Sequence, residues 1–191
     1  MNVLFLMPKT VTQTDEWYVF PTGIAYVSSA LKAHNSCNVY TKNLNTVEDI
    51  KPVICEYIDM YEIDAVATGG LTYQYHSIRD IVTISKQHKP SIITMVGGGY
   101  ITSAPKVAMT AIPEIDIGMI GEGEITICEL IDALRDNKPL VDIQGIIYRD
   151  GKGNLLESVR RKPNENLDLL LYPDYDGFEF ETTLNYSPVN Y

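Results

Sequence analysis

Two apolar runs that each stop at a cluster of glycines constrain the fold of this chain most. Residues 92–96 are rich in β-branched side chains and end at Gly97, Gly98 and Gly99. Residues 115–120 form a second run, which ends at Gly121 and Gly123. Such runs are typical of buried strands, and glycine lets the backbone come close to a neighbour or a ligand. The carboxyl ends of parallel strands form the crevice where ligands bind, so both clusters are expected on one binding edge.

Apolar runs alternate with helical patterns through residues 1–140. Strands are predicted at residues 3–7, 37–40, 64–68, 91–96 and 115–120, and helices at residues 21–34, 47–58, 77–88, 105–111 and 122–136. A right-handed crossover places a helix between successive parallel strands, so this alternation indicates an α/β protein. The predicted fold is a flavodoxin-like, doubly wound (Rossmann-like) sheet of five parallel strands in the order 2-1-3-4-5.

The pattern changes after Pro139. Residues 143–148 and 155–159 flank an Asp150-Gly151 turn, which predicts a C-terminal β-hairpin. From residue 160 onward no period is sustained, which predicts an extended tail. We therefore divide the chain into a Rossmann-like domain at 1–140, a hairpin appendage at 141–160 and a linker at 161–191. Because a natural chain seldom ends on such a segment, we expect further sequence beyond it.

Composition and charge exclude several classes of partner. The formal net charge of −10 opposes long-range attraction to nucleic acid or an anionic membrane. No run approaches the roughly 18 apolar residues that a membrane span needs. The three cysteines are odd in number, far apart and outside any CxxC pattern, and the three histidines are scattered, so no metal site is predicted. We expect a cytoplasmic protein.

A third glycine turn, at Gly69 and Gly70, follows the third strand. Backbone amides in such turns can donate hydrogen bonds to a large, flat ligand. Neither GxxxxGK[ST] nor GxGxxG is present, so a nucleoside triphosphate is not expected. The first loop has threonines at 10, 12 and 14, as in a flavodoxin phosphate loop, but lacks its glycines, and FMN stays open as an alternative. Thr68 stands where a phosphoacceptor domain would need an aspartate.

Five segments together resemble the N-terminal cobalamin-binding domain of B12-dependent radical S-adenosylmethionine (SAM) enzymes. They are PTGIAYVSSALK, TGGLTYQYHSIRD, VGGGYITSAP, IGMIGEGEITICELIDAL and IQGIIYRDGKGN. The tail LLLYPDYDGFEF is similar to the segment that leads to the radical barrel in that family. The family's CxxxCxxC is absent. The [4Fe–4S] cluster and S-adenosylmethionine are therefore expected only in a downstream radical SAM domain, which would be this domain's partner.

The resemblance assigns cobalamin-binding roles to the glycine turns. It implies that the cofactor's nucleotide tail inserts beside the sheet, where small residues border its channel. The residues carried over are Gly69, Gly70, Leu71 and Thr72 after strand three, Gly97, Gly98 and Gly99 after strand four, and Tyr100, Gly121, Glu122 and Gly123 at the corrin edge. For any one glycine, a turn that requires positive φ is the plainer explanation. Glu122 and Glu124 begin a helix, where acidic side chains are favoured by the dipole alone, so catalysis is not assigned to them.

One departure from related domains bears on the cobalt. Methionine-synthase-like domains carry DxHxxG after strand one, with a histidine that coordinates cobalt from below, whereas residues 8–20 contain no histidine. The resemblance then implies a base-off, His-off cobalamin whose lower face meets loop residues such as Thr12, Gln13 and Trp17. Weak lower coordination favours cycling between Co(I) and methyl-Co(III), as methyl transfer requires.

The resulting hypothesis is the cobalamin module of a radical SAM enzyme, of methyltransferase type, that is inert by itself. A non-enzymatic flavodoxin-like sensor module for FMN or another ligand is the alternative. An interaction domain without any cofactor is the third reading.

Overall fold

A computed structural model describes residues 1–10 and 20–181. The strands are β1 (Asn2–Met7), β2 (Asn38–Asn43), β3 (Ala65–Gly69), β4 (Ile93–Gly97), β5 (Ile117–Met119), β6 (Ile146–Arg149) and β7 (Leu155–Glu157). The helices are α1 (Thr22–His34), α2 (Ile50–Met60), α3 (Tyr75–His88), α4 (Gly99–Ser103), α5 (Pro105–Ala111) and α6 (Glu124–Arg135). Short 3₁₀ turns occur at Thr72–Gln74, Leu140–Asp142, Leu167–Leu169 and Asp176–Phe178.

The strands form one sheet in the order β2-β1-β3-β4-β5-β6-β7. The first five strands are parallel, which confirms the flavodoxin-like order predicted from the alternation. The sheet has seven strands rather than five because β6 pairs antiparallel with β5, and β7 with β6. The predicted hairpin thus extends the sheet and covers the edge that β5 would otherwise expose.

Both faces of the sheet are buried. On β1, Val3, Phe5 and Met7 face α1 and α6, whereas Leu4 and Leu6 face α2 and α3. All five side chains are at most 1% exposed. Layers of helix on both faces explain why residues 3–7 of the central strand β1 are apolar throughout instead of alternating with polar residues.

Several local predictions change in detail. Strand β2 continues to Asn43, beyond the predicted residue 40, and the five-residue helix α4 follows the glycines of β4 directly. Pro52 lies in the first turn of α2, where a missing N–H is tolerated, and the Asp49 carboxylate caps the start of this helix by accepting from the Lys51 N–H at 3.1 Å.

Within the described residues 161–181, part of the tail packs against the domain. It contains two of the 3₁₀ turns, and the Phe178 side chain is fully buried against the cluster formed by β1, α1 and α6. Within residues 1–10 and 20–181, no helix is both long and apolar enough to cross a membrane.

Candidate functional site

The turns that follow β1, β3, β4 and β5 lie at one edge of the sheet because these strands are parallel. We call this surface the carboxyl edge and define its described part as residues 8–10, 69–74, 97–102 and 120–123, which includes the last residues of β3 and β4. It brings together the three glycine clusters singled out from the sequence.

Hydrogen bonds join neighbouring turns of the carboxyl edge. The Tyr100 N–H donates to the Gly70 carbonyl at 2.9 Å, and the Gly70 N–H makes a longer bond of 3.4 Å to the Gly97 carbonyl. On the far side, the Gly121 N–H donates to Thr102 Oγ1 at 3.0 Å. The turns after β3, β4 and β5 are therefore held in fixed positions relative to one another before any ligand binds.

Gln74 links the turn after β3 to the turn after β1, and sequence reasoning missed it. Its Oε1 accepts from the Leu71 N–H at 2.9 Å, and its Nε2 donates to the Lys9 carbonyl at 3.4 Å. The side chain is only 5% exposed. The signal available in the sequence was a polar residue shortly after two glycines. Its partner Lys9 belongs to a distant segment, which sequence alone does not bring close to it.

Two of the glycines are required by the close approach of the turns themselves. A Cβ on Gly69 would lie 2.9 Å from the Gly97 carbonyl oxygen, and one on Gly98 would lie 2.8 Å from the Gly70 carbonyl oxygen. Gly98 also has φ +78° with ψ −168°, a conformation essentially restricted to glycine. The folded chain therefore needs glycine at these two positions with or without a ligand.

Gly97 and Gly99 are different. A Cβ on Gly97 would meet the Met119 side chain at 3.5 Å, an ordinary contact. One on Gly99 would lie 2.7 Å from the far end of the flexible Leu71 side chain and 3.9 Å from the Gly70 carbonyl oxygen. Neither glycine has positive φ. The packing of the described residues thus does not explain the glycine at Gly97.

Apolar side chains are exposed next to these glycines. Leu71 is 54% exposed and the neighbouring Tyr73 is 66% exposed. Thr72, which begins the 3₁₀ turn between them, is also exposed. Backbone turns beside accessible apolar side chains suit a large ligand with a flat apolar surface. Tyr73 was not among the residues predicted from the sequence.

Tyr100 presents its backbone and not its ring to the carboxyl edge. The side chain is 7% exposed, and its hydroxyl donates to the Ala108 carbonyl of α5 at 3.2 Å. Burial raises the pKa of this hydroxyl. A contact between the Tyr100 ring and the corrin edge stays a prediction, since the structure shows the ring packing beneath the turn.

The three predicted residues of the turn after β5 have different surroundings. Gly121 has φ +82° and nothing within 4 Å of where its Cβ would be, so it lies open at the edge. Glu122 accepts from the Asn164 N–H of the tail at 2.6 Å. A Cβ on Gly123 would lie 2.8 Å from Val27, so this glycine permits the close packing of α1 against α6.

Thr12, Gln13 and Trp17 lie outside the described residues, so their predicted contact with the cofactor stays a prediction.

Two of the histidines, His34 and His88, are the last residues of α1 and α3, at the ends of these helices that lie away from the carboxyl edge. His34 at the end of α1 pairs with Asp132 at 2.7 Å, and this bond is the main reason that the pKa of Asp132 is lowered. Burial raises the pKa of the Cys128 thiol to about 11, so it stays protonated at neutral pH.

Comparison with known protein families places this Rossmann-like fold in a class. The family model described as "B12 binding domain" matches residues 8–131, which is well over half of the chain. The chain therefore belongs to the B12-binding domain family, as the resemblance in its glycine turns predicted.

Two curated relatives are similar in sequence to this chain along most of its length. An uncharacterized methyltransferase of Pyrococcus horikoshii is 27% identical over 180 residues, which cover 92% of this chain and 38% of that protein. The anaerobic magnesium-protoporphyrin IX monomethyl ester cyclase of Rubrivivax gelatinosus is 27% identical over 197 residues, covering 100% of this chain and 35% of the cyclase. The chain thus spans little more than a third of the length of these relatives.

Solved structures share the fold. The radical SAM methyltransferase TsrM from Kitasatospora setae, solved with its tryptophan substrate and a SAM analogue, superposes with a TM-score of 0.69 at 20% identity, over 85% of this chain and 30% of TsrM. The cobalamin-dependent SAM radical enzyme OxsB, solved with aqua-cobalamin and S-adenosylmethionine, gives a TM-score of 0.74 at 20% identity, over 92% of this chain and 24% of OxsB. Both structures contain the fold of this chain, in agreement with the predicted Rossmann-like architecture.

Proposed function

We propose that this chain is the cobalamin-binding part of a radical SAM enzyme of methyltransferase type. The observation that carries the proposal is Gly97, a buried glycine at the carboxyl edge that the folded chain does not itself require. It lies between the exposed Leu71 and the open Gly121 turn, and the match to the B12-binding family covers all three positions.

The described residues fit a role in holding and orienting the cofactor. Backbone groups of Gly97, Gly98 and Gly99 line the turn after β4, and Leu71 with Thr72 supplies an apolar and a hydroxyl side chain from the turn after β3. Bound cobalamin would supply the transferable methyl group. This chain's own contribution is a prearranged edge of backbone amides and apolar surface that excludes water from one side of the corrin.

We further propose that the cofactor is held base-off and His-off. His34 and His88 are at the carboxyl-terminal ends of α1 and α3, which lie at the opposite edge of the sheet. His76 is the histidine nearest the carboxyl edge, because α3 begins directly after the turn at Thr72–Gln74. Its side chain is exposed and its ring contacts Tyr75. Replacing His76 is therefore the control for axial coordination of the cobalt by a histidine.

The partner of this domain is proposed to be a radical SAM domain in the same longer protein. The tail presents a run of exposed apolar side chains, namely Leu167 at 63%, Leu169 at 76%, Leu171 at 51% and Tyr172 at 88%. Surfaces of this kind mark protein contacts. More than half of the length of each relative lies outside the region matched by this chain, which supports a catalytic domain as the occupant. A cytoplasmic location, suited to oxygen-sensitive chemistry and free cysteines, belongs to the same proposal.

Titration with hydroxocobalamin tests the proposal directly. The purified chain should retain cobalamin after removal of free ligand, with a base-off absorption spectrum. After reduction to Co(II), the paramagnetic resonance spectrum should lack splitting from an axial nitrogen, and His76→Ala should leave it unchanged. Retention of FMN and not cobalamin would replace the proposal with the flavin-binding alternative. Nitrogen splitting that disappears in His76→Ala would overturn the His-off assignment alone.

A further inference from the structure

The C-terminal segment 173–181 is packed onto the domain, and we name it the strap. The Asp174 carboxylate accepts from the Ser28 hydroxyl at 2.7 Å and forms an ion pair with Lys32 at 2.6 Å. The Asp174 N–H donates to the Ala25 carbonyl at 3.1 Å. Ser28 is fully buried, so its hydroxyl depends on this carboxylate for its hydrogen bond. These contacts fix the start of the strap on α1.

A chain of amide groups joins the strap to the end of β1. The Thr10 N–H and hydroxyl both donate to Asn45 Oδ1, at 2.7 and 2.9 Å. The Asn45 N–H and Nδ2 in turn donate to Asn43 Oδ1, at 3.0 and 2.8 Å. Asn43 Nδ2 completes the chain by donating to the Phe178 carbonyl at 3.1 Å. Asn43 is 4% exposed, so water offers little replacement for these bonds.

Aromatic packing joins the same strap to the start of α1. The ring of Phe20, directly before Pro21, lies 5.6 Å from Tyr175 and 5.0 Å from Phe180, measured between centroids. Tyr175 and Phe180 are themselves 4.8 Å apart. The three rings form one contact cluster with tilted and edge-on geometry, which aromatic rings prefer.

These two sets of contacts reach Thr10 and Phe20, the described residues on either side of the β1–α1 connection. That connection leaves β1 at the carboxyl edge, where the turn after β3 also contacts it through Gln74 and Lys9. One tail segment, more than 150 residues away along the chain, is therefore linked to both ends of this connection, directly at Phe20 and through Asn43 and Asn45 at Thr10.

We propose that the strap is a positioning element that holds both ends of the β1–α1 connection at the carboxyl edge, and that tight retention of cobalamin depends on it. Asn43 and Tyr175 act as positioning residues through Thr10 and Phe20. The inference rests on the proposed function for its second half. Its first half, the holding of the connection, is independent of any ligand.

The sequence supplies a probe for the first half, since Trp17 is the only tryptophan and lies between Thr10 and Phe20. Asn43→Ala should raise the acrylamide quenching constant of Trp17 fluorescence at least twofold and weaken hydroxocobalamin binding about tenfold. Asn38→Ala is the matched control. Asn38 lies on the same strand at its opposite end, where its side chain donates to Asn2 Oδ1 at 2.9 Å. It should leave both quantities unchanged.

A second pair of variants guards against general loss of folding. Tyr175 is 37% exposed, so Tyr175→Ala can be made with little disturbance of the core, and Tyr175→Phe keeps the ring contacts. Tyr175→Ala should repeat the effects of Asn43→Ala, with a cooperative thermal unfolding transition retained. Tyr175→Phe should behave as the wild type.

The outcomes separate the two proposals. Unchanged Trp17 quenching in both Asn43→Ala and Tyr175→Ala overturns the strap proposal, whatever happens to cobalamin. Increased quenching with unchanged cobalamin affinity overturns the link to the cofactor. If the wild type retains no cobalamin, the proposed function fails, while the quenching comparison still decides whether the strap holds the connection.

Discussion

Individual glycines at the carboxyl edge are explained by different physical causes, although the sequence shows them only as a group. Gly69 and Gly98 allow two turns to touch through their backbones. Gly123 allows α1 to approach α6, and Gly121 adopts positive φ. Gly97 has none of these reasons. Substitution by alanine should therefore separate structural glycines from one that serves a ligand.

The first prediction compares Gly97→Ala with Gly98→Ala. Alanine at Gly97 makes ordinary contacts, so the free energy of unfolding should change by less than about 1 kcal/mol. Alanine at Gly98 occupies a conformation essentially restricted to glycine and should cost about 1–3 kcal/mol. Chemical denaturation measures both.

For Gly97→Ala, the loss of cobalamin binding should not be accompanied by a comparable loss of stability. Gly97→Ala should weaken hydroxocobalamin retention about tenfold or more while remaining stably folded. Wild-type affinity in Gly97→Ala would show that this glycine does not face the cofactor, and would remove the observation on which the proposed function depends.

Sequence alone located the edge because strand ends are marked locally by where apolar runs stop. It could not assign the cause of each glycine, since the atoms that a Cβ would meet on Gly98 belong to Gly70, in another turn. It missed Gln74 for the same reason, because the partner of its amide is the carbonyl of Lys9. Sequence alone also did not show that the Tyr100 hydroxyl donates to the Ala108 carbonyl beneath the turn, and the contact of Tyr100 with the cofactor stays a prediction.

Among the elements, the hairpin β6–β7 depends on one turn residue. The Asp150 carboxylate accepts from the backbone N–H groups of Lys152 and Asn154, both at 2.8 Å, and from the Asn154 side-chain amide at 2.9 Å. These bonds, with that of the Asn154 side chain foremost, lower the pKa of Asp150. The ionised carboxylate is therefore the form that stabilises the turn.

The pH dependence of the hairpin follows from this lowered pKa. A carboxylate with a lowered pKa contributes stability above its unfolded pKa, near 3.8, and loses that contribution as the pH falls through its folded pKa. The difference in stability between wild type and Asp150→Ala should therefore be largest above about pH 5 and should shrink toward pH 3. Thermal unfolding at a series of pH values measures it.

Lys152→Ala is the control for this prediction, because Lys152 contributes its backbone N–H to the turn. It should keep the wild-type dependence on pH. A stability difference between wild type and Asp150→Ala that stays constant from pH 6 to pH 3 would show that the carboxylate charge does not stabilise the turn.

The hairpin itself was predicted correctly from Asp150-Gly151, because a hairpin turn is a local signal. Its pairing with β5 was not predicted, since that pairing joins Gly118 to Ile147 across 29 positions and depends on the unpaired edge of β5. The burial of Phe178 was not predicted for a related reason. It occurs in a proline-containing segment without a period, and it is buried by side chains of β1, α1 and α6, which are distant along the chain.

On the scale of the whole molecule, the described parts of all three predicted segments contribute buried side chains to the clusters on the faces of the sheet. Ile146 and Ile147 of β6 are fully buried, one in the cluster with α1 and α6 and the other in the cluster with α3 and α5. Phe178 is also fully buried. Burying such a side chain contributes about 1.5–3 kcal/mol, so these three residues together are comparable to the net stability of about 5–15 kcal/mol that a typical domain has.

The last prediction tests the division at residue 140. A chain of residues 1–140 lacks β6 and the strap, so it leaves the β5 edge unpaired and removes three large side chains from the interior. It should show no cooperative thermal transition and should associate during size-exclusion chromatography, because unpaired strand edges promote association. A chain of residues 1–181, which keeps every described element, should unfold cooperatively within a few degrees of the full chain. Cooperative unfolding of 1–140 near the full-length midpoint would instead establish it as an independent domain, with the hairpin and strap as dispensable additions.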